Sequence, residues 1–176
     1  MEIAKLANDK IHADTLLRNW IAAHPTDQGM RLEYAGFLLQ QGENAKAASQ
    51  YQTVLKQNPD SILALNNLGW LLQQGEPKRA LSLLTHAWTL APNSATIADT
   101  FGWLKVQQKD AAAGLALLER AHALEPGDGQ ITYHLAVALD ANSKRDAARG
   151  LLKSLLASGS VFKDRAAAVQ LSSNWH

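Results

Sequence analysis

Cysteine is absent from the 176 residues, so neither a disulfide framework nor a thiolate metal site can be built. That absence suits a bacterial envelope and a cytosol equally. No apolar run reaches the 18 residues that would suggest a membrane-spanning helix. The stretch 1–10 lacks the apolar core of an export signal, so an exported form would be expected to come from a longer chain that has lost its leader. Net charge is only +1, and no run of Lys or Arg is long enough to track phosphates. Nucleic acid is therefore not the expected partner. No P-loop, GxSxG, GxGxxG or HExxH pattern occurs. Aromatic residues make up only 6%.

What the chain does have is Ala and Leu in abundance, the best helix formers, within a hydrophobic content of 47%. Proline is sparse but ordered. Pro25, Pro59, Pro92 and Pro126 stand 34, 33 and 34 residues apart, each after a helical stretch. A period of this size marks a repeat array, which grows by addition and has no single central core.

Aligned on the prolines, the units share one pattern of large and small residues. Residues 28–61 give Tyr34, Ala35, Leu38, Ala47, Tyr51, Val54 and Pro59; 62–94 give Leu68, Gly69, Leu72, Ala80, Leu84, Ala87 and Pro92. Residues 95–128 give Phe101, Gly102, Lys105, Gly114, Leu118, Ala121 and Pro126; 129–162 give Leu135, Ala136, Leu139, Ala148, Leu152 and Leu155, with Ser160 in place of proline. The pattern resembles the tetratricopeptide repeat, 34 residues of helix A, turn and helix B. The resemblance implies an all-α fold, a right-handed superhelical solenoid of antiparallel helix pairs closed by a C-terminal capping helix.

The small residues at 35, 69, 102 and 136 let helix A approach its own helix B, and those at 47, 80, 114 and 148 answer from the other side; a bulky substitute would overpack the contact. Asp27, Ser61, Ser94 and Asp128 are expected helix caps. Gly42 and Gly75 are expected left-handed helix ends, and Pro77 suits the first turn of a helix B. The second unit is one residue short in its A–B turn, and Lys105 replaces a large apolar residue, its amine expected to snorkel outward.

Both ends differ from the middle. Ala13, Leu17, Trp20 and Pro25 place residues 1–27 as a partial repeat, whose open face offers a route to dimers. At the other end 161–176 is expected to hold the capping helix and a tail. Val161 to Ser173 reads as amphipathic through Val161, Phe162, Ala166, Val169 and Leu171, and Trp175 and His176 as a disordered tail.

The six histidines, at 12, 24, 86, 122, 134 and 176, contain no pair at metal-binding helical spacing. Asp99 and His134 fall at nearly equivalent places in neighbouring A helices, and a hydrogen-bonded surface pair is the expected outcome. A catalytic dyad would need a nucleophile too, and none is evident. The reading is of a protein that is not an enzyme and takes no cofactor or metal.

In tetratricopeptide arrays the A helices line the concave face. The resemblance therefore implies a partner-binding groove of Leu32, Asn66, Trp70, Gln73, Asp99, Trp103, Val106, Tyr133, Val137 and Asp140. Trp70 and Trp103 hold the same place in successive repeats, beside Asn, Gln and Asp, as anchors for a peptide or a glycan; the alternative is that both indoles simply fill space between helices. None of these positions carries Lys or Arg, which disfavours a groove that grips a terminal carboxylate.

The phrases Asn66–Leu72, Asp99–Trp103, Tyr133–Leu139, Leu155–Gly159 and Phe162–Arg165 are similar to the C-terminal part of the tetratricopeptide lipoprotein of the bacterial PEP-CTERM/exosortase system. That family accompanies exopolysaccharide biosynthesis and protein sorting. The resemblance implies the periplasm or cell envelope. The leading expectation is a scaffold that holds a protein or peptide segment; contact with polysaccharide, or a passive spacer, are the alternatives.

Overall fold

The computed structural model describes residues 10–175. Every regular element among them is an α-helix, and there are ten. In chain order they are α1 (Lys10–Ala23), α2 (Gln28–Gln40), α3 (Asn44–Gln57), α4 (Ile62–Leu72), α5 (Pro77–Leu90), α6 (Ala95–Gln107), α7 (Ala111–Leu124), α8 (Gly129–Ala141), α9 (Arg145–Ala157) and α10 (Arg165–Ser173). The even-numbered helices α2 to α8 are the A helices of the four repeats, and α3 to α9 their B helices. The chain divides into two compact units, Met1–Ala87 and Trp88–His176. His176 and the start of the partial repeat, residues 1–9, lie outside the described residues.

In the first unit the core is the repeat signature itself. Tyr34, Ala35 and Leu38 of α2 meet Ala47, Tyr51 and Val54 of α3, all at most 4% exposed. Leu17 and Ile21 of α1 join the same cluster. The next pair closes on Gly69, where a Cβ would stand only 2.7 Å from Leu84 Cγ.

The second unit shows the same logic at its tightest. A Cβ on Gly102 would come within 2.8 Å of Leu118 Cγ, and one on Gly114 within 2.9 Å of the Gly102 carbonyl oxygen. Backbone thus lies almost on backbone, and α6 and α7 pack more closely than any side chain larger than hydrogen would permit. Lys105 keeps its stem on this seam and sends Nζ to Asp110 at 3.1 Å, above the Phe101 ring. The snorkelling expected of it is realised.

Helix ends follow the local chemistry, with two departures. Asp27, Ser94 and Asp128 accept hydrogen bonds from the backbone N–H groups of Met30, Ile97 and Ile131. Ser61 has an extended cap backbone but no side-chain cap bond. Gly42 is left-handed, at φ 76°, whereas Gly75 is not. The left-handed place in the later turns falls to Lys109 and Ser143, at φ 65° and 62°. The turn before Pro77 is one residue shorter and closes without a left-handed residue, so Gly75 is not required there for its backbone freedom.

The cap also differs from expectation. Its helix begins at Arg165, not Val161, and Val161 is 96% exposed. The buried residue of α10 is Ala168; Ala166 and Val169 face outward. Arg165 explains the late start: its guanidinium donates to the carbonyls of Ser160 and Leu156, holding 158–164 as a turn rather than helix. Trp175 is not a loose tail but packs half-buried on the second unit's core.

Candidate functional site

The A helices carry nine of the ten expected groove residues, and Gln73 is the C-cap of α4. In the first unit, Leu32 on α2 is half-buried against the core. On α4, Asn66 is buried and Trp70 is half-buried one turn further on, with Gln73 half-buried at the helix C-cap. Asn66 donates to Asn67, which donates in turn to the Tyr51 hydroxyl. The amide oxygens of Asn66 and Gln73 are buried and accept no hydrogen bond.

The second unit holds a connected polar and aromatic face. His134 of α8 bonds through Nδ1 to Asp99 of α6 at 2.8 Å, with the two side chains 10% and 14% exposed. The pair exists, but it is buried rather than a surface pair. Trp103 covers it, its indole stacked on the imidazole at 4.1 Å between centroids. On the other side, Nε2 of His134 meets Nε2 of Gln130 at 2.8 Å. Gln130 also donates to Asp164 at 2.7 Å and accepts from the Asp164 backbone N–H.

This network assigns the protons. An ionised carboxylate only accepts, so Nδ1 of His134 carries hydrogen toward Asp99. The amide oxygen of Gln130 is taken by the backbone N–H of Asp164, so its NH2 group faces the ring. Both ring nitrogens of His134 are engaged by neighbouring side chains, and the Asp164 carboxylate stands 3.8 Å from Nε2.

Tyr133 neighbours this network. It is 8% exposed, tilted toward Trp103 at 6.4 Å and stacked on Phe162 at 6.2 Å. Burial pushes its phenol above the usual tyrosine range, and the nearby Asp164 carboxylate adds to the shift. Val137 is half-buried on the same helix. Val106 packs toward Gly114 on its own helix B, and Asp140 is occupied by Arg145 at 2.7 Å. The structure therefore gathers Asp99, Trp103 and Tyr133, and turns Val106 and Asp140 to other partners.

Four residues outside the expected set complete the face: Gln130, His134, Phe162 and Asp164. Gln130 and Asp164 are 34 residues apart, one repeat, so the period itself held a signal for them. Phe162 sits against Gly129, where a Cβ would come within 2.9 Å of its ring. Among the described residues no group of three or more His, Cys, Asp or Glu could hold a metal ion, and no helix is long and apolar enough to cross a membrane.

Sequence profiles described as tetratricopeptide repeat match residues 13–62 and 37–95 in one case, and 105–170 in another. The chain belongs to the tetratricopeptide repeat family. No curated protein matches this tetratricopeptide chain. Solved structures show the same fold. A thermophilic TPR protein of Thermus thermophilus, TTC0263, has a TM-score of 0.75 at 19% identity, over 96% of each chain. MamA from Desulfovibrio magneticus RS-1 has 0.72 at 19% identity, over 89% of this chain and 94% of its own. The pilF protein of Pseudomonas aeruginosa has 0.73 at 22% identity, over 90% and 72%. At these identities the likeness is one of architecture, that of an all-α tetratricopeptide solenoid.

Proposed function

We propose that this tetratricopeptide protein is a non-catalytic scaffold whose A-helix faces hold a segment of a partner protein. The observation that carries the proposal is Trp103. Its indole is half-buried and clamped over His134, itself fixed by Asp99 and Gln130. An aromatic anchor already held in one orientation loses little freedom on binding, the condition under which such anchors contribute most. In the first unit, Asn66 and Gln73 supply acceptors that lack donors, to either side of Trp70 along α4. The proposed contact set is Leu32, Asn66, Trp70 and Gln73 in the first unit, and Asp99, Trp103, Tyr133 and Val137 in the second. Val106 and Asp140 contribute from its margin.

The finer reading places this scaffold in the bacterial envelope, in an assembly for exopolysaccharide or protein sorting. It rests on the phrases Asn66–Leu72, Asp99–Trp103 and Phe162–Arg165 and their similarity to the exosortase-associated lipoprotein.

The test is photo-crosslinking in the native host from position 103 and, separately, from position 70, with mass spectrometry of the adducts. The expected outcome is one repeatable protein adduct. Captured polysaccharide would transfer the face to a glycan. No adduct from either position, with the protein folded and present, would leave a spacer as the better account.

A further inference from the structure

Trp175 has no place in the repeat signature, yet it forms one wall of a cleft. The other walls are Arg149, Gly150 and Lys153 from α9 and Ser172 from α10, around a volume of about 360 Å³. That is the small end of the range for ligand sites, with room for one side chain or ring.

Two cationic side chains border the cleft. Arg149, Lys153, Ser172 and Trp175 line it, and none of these four side chains has a hydrogen-bond or ion-pair partner among the described residues. No Asp or Glu carboxylate among the described residues answers them. Asp140 is engaged by Arg145, Glu119 lies against Lys144, and Asp164 accepts from Gln130. Residues 165–175 contain no Asp or Glu at all, and Asp146, the remaining acid on α9, is not part of the lining. Two unpaired cations bordering one cleft, with no Asp or Glu among the described residues to offset them, favour an anionic group there.

We propose that this cleft binds an acidic segment of a protein partner, one carboxylate seated between Arg149 and Lys153 beside the Trp175 indole. Spacing favours an extended peptide. Arg149 and Lys153 stand one helical turn apart, about 6 Å along the axis, and alternate side chains of an extended chain repeat at about 6.5 Å. A sugar acid would need an open indole face, whereas Trp175 is half-buried on the Leu151 and Leu171 side of the core. This surface belongs to a B helix and the cap, and is independent of the A-helix faces.

The test uses the full chain, labelled with nitrogen-15. It is titrated with a capped six-residue peptide of alternating Glu and Ala, with the same peptide carrying Gln for Glu, and with trigalacturonic acid. The Glu peptide is expected to shift the Trp175 indole N–H and the amides from Arg149 to Lys153, leaving the Trp103 indole still. Its affinity should fall about tenfold in Arg149→Gln/Lys153→Gln. Both side chains are exposed, so the double variant should keep the parent circular dichroism and melting temperature. The Gln peptide should produce no shift. The proposal is overturned by an unshifted Trp175, by equal affinity in parent and variant, or by trigalacturonic acid binding where the Glu peptide does not. A shifted Trp103 with a still Trp175 would also overturn it, and would instead support the A-helix face.

Discussion

Gly114 and Gly36 are both helix-interior glycines, and they should respond oppositely to an added methyl group. At Gly114 a Cβ would lie 2.6 Å from Val106 Cγ2 and 2.9 Å from the carbonyl oxygen of Gly102. The valine end can rotate but the carbonyl cannot, so α6 and α7 must part. Gly114→Ala is expected to destabilise by about 1–3 kcal/mol, read as a lower denaturant midpoint at unchanged slope. At Gly36 nothing lies within 4 Å of the same atom. There alanine removes backbone freedom from the unfolded chain, and a gain of roughly 0.5–1 kcal/mol is expected. Equal losses at the two sites would show that the close approach of α6 and α7 is not what Gly114 serves.

The tyrosines give a pH prediction at the same scale. All three, Tyr34, Tyr51 and Tyr133, have phenols raised above the usual range, each chiefly by burial. Tyr34 is pushed to about 12, its hydroxyl also donating to the Asp14 carboxylate at 2.8 Å. A raised phenol favours the folded state while it stays neutral. Its contribution is whole below the unfolded value of about 10 and is lost as pH climbs toward 12. Ultraviolet titration should therefore show less tyrosinate at pH 10 in the folded protein than in the urea-unfolded chain, with Tyr34 ionising last and together with loss of helix. Tyr34→Phe should weaken the alkaline transition; an unchanged transition would count against Tyr34 as its main source.

At the scale of the element, the caps separate positions that look alike in sequence. Asp27, Ser61, Ser94 and Asp128 recur at one place in the period, yet Asp128 accepts two backbone N–H bonds and Ser61 accepts none. Asp128→Ala should cost about 1 kcal/mol and Ser61→Ala only a few tenths; thermal melts of the two variants would decide it. Asp27 adds a pH signature. The Met30 N–H and then the Trp20 indole N–H hold its carboxyl below the usual value of 3.8. Its contribution is present above that value and disappears as pH falls below it. The difference between positions 61 and 128 is not legible in the sequence, because it depends on rotamers of a few tenths of an ångström. Gly75 fails for a similar reason. The missing residue in its turn was visible, but the consequence for φ requires the closed geometry of α4 and α5.

At the scale of the molecule the repeat made much of the fold legible, since size and polarity alone determine which positions face inward. Tyr34, Tyr51, Leu84, Leu118 and Leu152 are all buried where the period put them. The face between repeats was harder to read. That Trp103 stacks on His134, or that Gln130 reaches Asp164, depends on the step from one A helix to the next, and a pattern within one repeat says nothing of that step. The cap was least legible, because Phe162 and Trp175 follow no period and find their places by filling what the last pair leaves open.

This same additivity makes a prediction about cooperativity. The stability of an array is close to a sum of unit and neighbour terms, so a core defect should be felt most where it is made. Leu84 and Leu118 are both fully buried, one in each compact unit. Truncation of either to alanine should cost about 2–5 kcal/mol. Hydrogen exchange should then divide: Leu84→Ala should lower protection chiefly in α4 and α5, and Leu118→Ala chiefly in α6 to α9. If either substitution lowered protection evenly from α1 to α10, the chain would be unfolding as one cooperative body. A groove built on such units would then lose affinity everywhere at once. With local loss, Leu84→Ala should weaken contacts made by Trp70 while leaving those of Trp103 in place, which crosslinking from the two positions would resolve.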